Sequence, residues 1–224
     1  MSFVYEERLP DHPFVRTIWH TQSESDGCFV SPADGSWDLL VIRQAGEARI
    51  CVAGPATKAA PIVYKQGMEY LGIRFAIGAF MSHLPPGHIV DAVMTLPKAT
   101  SKSFWLDESV SWIPDYDNVE MFVDTLVRGR LLARDAVVHA VVQGDTQALS
   151  LRSVQRRFLR ATGLTPCSLR QIERVRHAEA LLRQGIPILD TVAAAGYADQ
   201  PHMTRALKRC TGQTPGQIVR LGKP

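Results

Sequence analysis

The feature that most constrains this chain is a repeat in its last third, where two basic segments end in the same signature. The first runs from Ser150 to Pro166 and the second from Asp199 to Pro215, and both finish in Thr-Gly-x-Thr-Pro. Each begins with a residue type that caps helices and ends with a glycine followed by a proline, which is typical of a helix terminus. The repeat therefore predicts two basic helices of about three turns each.

The residues between the two segments also follow helical spacing. Residues 188–195 predict a short helix, Gly196 fits a tight turn that requires a positive φ, and Tyr197 can fill the core between two helices. This order predicts a helix-turn-helix motif, whose second helix enters the DNA major groove and presents its N-terminal residues to base edges. A long connecting helix is predicted by an apolar stripe, which consists of Leu169, Ile172, Val175, Ala178, Leu181 and Leu182.

Charge is divided unevenly along the chain. Residues 150–224 contain 13 Lys and Arg against 4 Asp and Glu, a net charge of +9. Residues 1–149 contain 12 against 18, a net charge of −6. A basic segment joined to an acidic one indicates a module that binds a polyanion beside a domain with a different partner. Charge alone is equally compatible with a solvated helical surface.

From about Ser150 to Arg220 the sequence resembles the DNA-binding domain of AraC-type (AraC/XylS) transcription regulators. The residues that carry the resemblance are Ser150-x-x-x-Val-Gln-Arg-Arg-Phe158, the two Thr-Gly-x-Thr-Pro signatures, Thr191-Val-Ala-Ala-Ala-Gly-Tyr-Ala-Asp-Gln200, and Arg205. The resemblance implies a cytoplasmic bacterial regulator of transcription. It also implies two helix-turn-helix units that read successive major-groove segments on one face of double-stranded DNA.

The resemblance and side-chain chemistry together predict DNA contacts on both repeated helices. Arginine can bond guanine O6 and N7 in a bidentate manner, and glutamine can pair with adenine N6 and N7. The same side chains can instead bind phosphates, which position a protein without reading sequence. Met203 and Leu207, four residues apart, are predicted as core. The predicted DNA-binding residues are Arg152, Ser153, Gln155, Arg156, Gln200, His202, Thr204, Arg205, Lys208 and Arg209.

The first unit departs from the family pattern, which usually has a short helix just before the first recognition helix. Here only residues 145–149 lie between Gly144 and Ser150. Either the helix predicted over residues 134–143 supports the Ser150 helix, or this unit docks loosely. We therefore expect specificity to depend more on the second unit.

Residues 1–115 predict a β-rich domain, whose strand-like runs are separated by turn signals. The expected fold class is α+β: a small antiparallel β-barrel or sandwich over 1–115, followed by an all-α domain over 116–224 with two helix-turn-helix units joined by a long helix. Within the first domain, residues 78–113 are predicted to mix short helical and irregular pieces. The predicted strands cover residues 14–19, 37–42, 48–52, 61–64 and 69–75.

The family usually carries a sensing or dimerising domain before its DNA reader, and the resemblance implies that role for residues 1–115. Trp37, Tyr64, Tyr70 and Phe75 are candidates to line a pocket for a mostly apolar small-molecule effector, although packing in the domain core is the simpler explanation for each. The alternative is an effector-independent DNA-binding module, whose N-terminal domain serves only to form a homodimer or to contact a protein such as RNA polymerase.

The sequence offers little support for other classes of protein. It contains no apolar run of 18 residues and no basic start followed by an apolar stretch, so we expect no membrane span and no secretory signal. His83 and His88, taken with Cys28 or Cys51, match no tight spacing of metal ligands. An enzyme built on a cupin-like barrel would need such a cluster or a nucleophile motif. We therefore expect no metal, no cofactor and no catalytic activity.

Overall fold

The computed structural model describes residues 3–145 and 150–221, and these residues form two compact units. The first unit contains the chain up to residue 28, residues 36–55 and residues 63–165. The second contains residues 29–35, residues 56–62 and the chain from residue 166 onward. Two short N-terminal segments are thus built into the same unit as the last helices. The division at residue 115 into a sensing or dimerising domain and a DNA-binding domain stays a prediction.

The described residues form strands mostly in the first half of the chain and helices mostly in the second. The strands are β1 (Phe3–Arg8), β2 (Val15–Ser23), β3 (Gly27–Ser31), β4 (Asp38–Gln44), β5 (Glu47–Ala53), β6 (Ala60–Tyr64), β7 (Glu69–Phe75), β8 (Ala79–Met81), β9 (Val93–Thr95), β10 (Lys98–Thr100), β11 (Ser103–Leu106), β12 (Ser109–Trp112) and β13 (Leu132–Arg134). The helices are α1 (Val119–Arg128), α2 (Ala136–Val142), α3 (Leu151–Thr162), α4 (Pro166–Arg183), α5 (Ile188–Ala194), α6 (Gln200–Thr211) and α7 (Pro215–Leu221), with 3-10 turns at Pro86–His88 and Tyr116–Asn118.

The largest sheet has the strand order β1-β2-β7-β4-β5-β9, and these neighbouring strands are antiparallel. Within the described residues β1 and β9 are the two edges, so this sheet is open and not closed into a barrel. Smaller sheets pair β10-β11-β12, β8 with β13, and β3 with β6. The expected α+β class, with antiparallel sheets followed by helices, is confirmed in its sandwich form.

The core of the first unit forms between one face of the large sheet and α1. Leu39 pairs with Ile73 and Val41 with Leu71, and all four side chains are buried on the same face because alternate strand residues point the same way. Phe122 of α1 packs in the same cluster. Each such side chain contributes roughly 1.5–3 kcal/mol through removal of apolar surface from water. This cluster holds the sheet and α1 together.

Residues 78–113 were expected to be short helical and irregular pieces, and this expectation is wrong for about half of the region, which forms strands. It contains β8 to β12, and one 3-10 turn at Pro86–His88. Each of these strands has only three or four residues, too few to show an alternating pattern. The pairing of β8 with β13, from Leu132 to Arg134, shows that partners distant in sequence set the strand conformation here.

The second unit is organised around α4, which is 18 residues long. Of the six residues predicted for its apolar stripe, Leu181 is only half-buried, and the other five are buried: Leu169, Ile172, Val175, Ala178 and Leu182. Helices α5, α6 and α7 pack against α4. None of the helices that the structure describes has the length and apolarity required to cross a membrane.

We predict that Gly163→Ala destabilises the first unit by more than Gly144→Ala does. Both glycines have a positive φ, at 70° and 87°, so each substitution incurs a strain of about 1–2 kcal/mol. A Cβ at Gly163 would also lie 2.8 Å from the Gly87 nitrogen, whereas nothing lies within 4 Å of one at Gly144. The added clash should cost about 1–3 kcal/mol more.

Urea unfolding followed by tryptophan fluorescence measures this difference, because all four tryptophans of the chain lie in the first unit. Equal midpoints for the two variants would contradict the close approach of Gly163 to the turn at Pro86–His88.

Candidate nucleic-acid interface

The first recognition helix, α3, is closed at both ends by residues of its own segment. Ser150 Oγ accepts a hydrogen bond from the Ser153 amide at 3.3 Å. At the other end Gly163 adopts φ 70°. The Thr162 hydroxyl donates to the Phe158 carbonyl at 2.8 Å and accepts from the Leu164 amide at 3.1 Å. The ends of α3 therefore follow from its local sequence, as predicted.

The exposed face of α3 brings together the DNA-binding residues predicted for the first helix-turn-helix. Arg152, Gln155 and Arg156 are exposed and Ser153 is half-buried. Together with Ser150 and Leu159 these residues line a surface depression of ≈ 390 Å³. The face carries two guanidinium groups, an amide and a hydroxyl, which are suited to base edges and phosphates.

Residues outside the repeat support the opposite face of α3. Phe158 is buried, and α3 packs against α2. The Asp135 carboxylate caps α2 by accepting from the Val137 amide at 2.9 Å. The same carboxylate pairs with Arg157 Nη1 at 3.1 Å. The preceding helix, α2, therefore supports α3, which was one of the two alternatives that the sequence left open. The segment 146–149 lies outside the described residues.

Two further contacts of α3 were missed by the sequence interpretation. The Arg160 guanidinium lies 5.8 Å from the centroid of the Phe80 ring in β8, and Gly163 lies against Gly87. Arg157 and Arg160 thus both have partners within the protein. Asp135, standing before an apolar helix, carried a recognisable N-cap signal, whereas nothing local marks Phe80 or Gly87.

The second helix-turn-helix is formed by α5 and α6 with Gly196 at the turn. Gly196 has φ 69° and Tyr197 is buried, which confirms both predictions. The Arg174 guanidinium of α4 lies 4.7 Å from the centroid of the Tyr197 ring, and its Nη1 donates to the Gly196 carbonyl at 3.3 Å. Burial raises the pKa of Tyr197. The turn is thus held against α4. The sequence interpretation did not predict these contacts of Arg174.

The second recognition helix, α6, repeats the design of α3. Asp199 accepts from the His202 amide at 2.6 Å, and Gly212 ends the helix at φ 74°. Met203 and Leu207 are fully buried, as predicted. Both recognition helices contain 12 residues, so the repeat in the sequence is reproduced in helix length and in both caps.

The predicted contact residues of α6 differ in exposure. Gln200, Arg205, Lys208 and Arg209 are exposed. Thr204 and His202 are half-buried, and the His202 ring lies edge-on to Tyr197 with the ring centroids 5.2 Å apart. These residues share the solvent-facing side of one helix, and their contacts with DNA stay predictions.

The two helices present the same charge in the same place. Arg156 and Arg205 each stand six residues after the N-cap, and both are exposed. Neither α3 nor α6 contains an acidic residue, so no carboxylate within either helix offsets these charges. An arginine fork of five donors suits the bidentate recognition of guanine or phosphate.

The aromatic candidates for an effector site lie in the first unit. Trp37 and Phe75 are buried and stacked with their ring centroids 3.9 Å apart, and Trp37 Nε1 donates to the Ala79 carbonyl at 2.7 Å. Tyr64 is buried. Tyr70 is half-buried, and burial raises its pKa. A role for these four residues in ligand binding stays a prediction.

A larger surface depression of ≈ 580 Å³ in the first unit is lined mostly by polar residues, including Arg43, Glu47 and Lys102, and by none of these aromatics. Across residues 3–145 and 150–221, no three His, Cys, Asp or Glu side chains lie close enough together to hold a metal ion.

Among solved structures, the chain is similar to ToxT from Vibrio cholerae. One structure of ToxT has 8% sequence identity and a TM-score of 0.42, with 99% of each chain covered. A second, of ToxT bound to (E)-4-(8-methylnaphthalen-1-yl)but-3-enoic acid, has 9% identity and a TM-score of 0.41, with 100% of each chain covered.

At the sequence level, residues 145–220 match the family described as a helix-turn-helix domain. The chain is also similar to the HTH-type transcriptional regulator RipA of Corynebacterium glutamicum, with 37% identity over 75 residues. That match spans 34% of this chain and 23% of RipA, so less than a quarter of the relative is covered. Together with the two capped helices and the Gly196 turn, the matches identify residues 145–220 as a helix-turn-helix domain.

Proposed function

We propose that the chain is a sequence-specific, DNA-binding transcription regulator of the AraC type. The observation that carries the proposal is the pair of equally long helices α3 and α6, each capped at both ends and each presenting an exposed arginine six residues after its N-cap. The helix-turn-helix match over residues 145–220 supports the same conclusion. Such helices read base edges in the major groove of double-stranded DNA.

In this proposal each recognition helix makes base contacts and phosphate contacts. Arg152 and Arg156 of α3 and Arg205 of α6 bind guanine edges, because their guanidinium groups are exposed and match O6 and N7. Glutamine side chains at 155 and 200 suit adenine in the same way. The remaining candidates bind phosphates or neighbouring base edges, and they are Ser153, His202, Thr204, Lys208 and Arg209.

We further propose that the N-terminal part of the chain senses a mostly apolar small molecule through Trp37, Tyr64, Tyr70 and Phe75. The support is the family resemblance, the stacking of Trp37 on Phe75 and the half-burial of Tyr70. Homodimer formation, contact with RNA polymerase, a cytoplasmic location beside the DNA and action by binding without catalysis belong to the same proposal. In the alternative, the N-terminal part serves only dimerisation or protein contact.

The proposal is tested by footprinting the full chain on the DNA upstream of its own gene over a series of salt concentrations. We expect a discrete protected site that the chain prefers over random DNA by about a thousand-fold or more. Binding that falls steeply with salt and shows no preference for any site would contradict it. A set of small apolar compounds, added to the same assay and to thermal melting, separates an effector-responsive regulator from an effector-independent one.

We predict that Arg205→Ala lowers operator affinity by about ten- to a hundred-fold, because it removes a bidentate base contact worth roughly 1–3 kcal/mol. Discrimination at one base pair should relax at the same time. Arg183→Ala is the charge-matched control, because Arg183 lies on α4 and pairs with Glu179. If Arg205→Ala left binding intact while Arg152→Ala abolished it, specificity would depend mainly on the first recognition helix, α3.

We predict that Lys208→Ala weakens operator and random DNA alike and makes the slope of log affinity against log salt shallower by about one, because one phosphate contact is lost. Lys65→Ala, which removes a lysine paired with Asp26 in the first unit, should leave the slope unchanged. Fluorescence anisotropy at four or more salt concentrations measures both slopes. A loss confined to the operator would show that Lys208 reads a base.

A further inference from the structure

The carboxyl end of α6 is completed by residues from the N-terminal half of the chain. The last carbonyls of a helix have no partner within that helix and must find donors elsewhere. The Arg209 carbonyl accepts from the Ala59 amide at 2.8 Å, and the Cys210 carbonyl accepts from the Ala33 amide at 2.7 Å. Both donors lie in the two segments 29–35 and 56–62, which we call the clamp, and the clamp belongs to the second unit.

Side chains close the same contact. A Cβ at Gly212 would lie 2.9 Å from Val30 Cγ1 and 3.6 Å from the Ala59 Cβ. The Cys210 thiol lies 4.0 Å from the Thr57 carbonyl and is buried, and this burial raises its pKa. The end of α6 is therefore held by two backbone hydrogen bonds and by packing.

The clamp is not part of the helix-turn-helix repeat. Each of its segments is joined at both ends to residues of the first unit, at 28 and 36 and at 55 and 63. The equivalent end of α3, at Gly163, lies instead against the turn at Pro86–His88. The two halves of the repeat share their internal caps, but the segments that cover their carboxyl ends are different.

We propose that Val30, Ala33 and Ala59 are positioning residues for α6, which set its orientation for base reading from outside the helix-turn-helix domain. The proposal rests on the proposed function and adds a dependence of that function on N-terminal residues. Lys208 and Arg209 lie in the half of α6 that the clamp holds, and Arg205 directly precedes that half. Because α6 is one continuous helix, an error in its orientation displaces the base contact proposed for Arg205, whereas phosphate contacts, which depend mainly on charge, tolerate it.

The first experiment is amide hydrogen exchange on the full chain, resolved to single residues. The amides of Ala33 and Ala59 should exchange at least ten-fold more slowly than the amide of Lys58. Lys58 is exposed in the same segment, and no hydrogen bond from its amide to the described residues is found. Exchange at Ala33 and Ala59 as fast as at Lys58 would overturn the proposal without reference to DNA.

The second experiment compares Val30→Asp with Val63→Asp in operator binding. Both valines are exposed by half or more and lie on the paired strands β3 and β6. A carboxylate at 30 faces the negative end of α6, whereas Val63 belongs to the first unit. We expect Val30→Asp to lower operator affinity about five-fold, the upper end of a helix-dipole effect, with binding to random DNA matching that of Val63→Asp. Val30→Ile should keep the operator affinity of the unsubstituted chain.

The outcomes separate this proposal from the proposed function. If Val30→Asp binds the operator as well as Val63→Asp does, or weakens operator and random DNA equally, the positioning role is wrong. If the unsubstituted chain prefers no DNA site, the proposed function fails and the clamp is judged by exchange in Val30→Asp. Faster exchange of the amides of residues 208–212 than in Val63→Asp then supports a clamp that holds α6, and unchanged exchange overturns it.

Discussion

Each recognition helix ends at a glycine in a left-handed conformation with no room for a side chain. Gly163 has φ 70° and lies against Gly87, and Gly212 has φ 74° and lies against Val30. A residue with a Cβ would be strained by the backbone angle and would also collide with its neighbour. The conformation that stops the helix is therefore the same one that lets another segment approach its end.

This shared constraint places the DNA-facing residues. Both helices have buried residues on one side, Phe158 in α3 and Leu207 in α6, and a supporting segment at the carboxyl end. With one face and one end held, the remaining face of each helix is exposed and positively charged. The supports differ, because α3 rests on α2 and β8, whereas α6 rests on α4 and the clamp. The two recognition helices therefore share their capping and their buried face, but different parts of the chain support them.

The parts of the site that could be predicted from the sequence depend on neighbours along the chain. Ser150 and Asp199 cap their helices through the amide three residues later. Met203 and Leu207 share a face because residues four apart do so in a helix. The positive φ at Gly196 follows from the tight turn. In each case the interacting groups lie within a few residues, so a local pattern contains the whole interaction.

The parts that were missed depend on partners far away in sequence. In residues 78–113, β8 and β9 take their conformation from pairing with the distant strands β13 and β5. The ion pair of Asp135 with Arg157 and the contact of Arg160 with Phe80 likewise join separate elements. Three-residue strands and single side chains carry no periodic signal, and their contacts become visible only when the chain is folded.

The sequence by itself determined where the two recognition helices begin and end, which of their residues are basic, and that a helix-turn-helix lies between residues 188 and 211. It did so because caps, helical spacing and turn glycines act over a few residues. Only the tertiary structure decided that α3 is built into the first unit and that residues 29–35 and 56–62 belong with α6. The hydrogen bonds from Ala33 to Cys210 and from Ala59 to Arg209 use backbone amides, which every residue except proline has. No side chain in the sequence therefore indicates them.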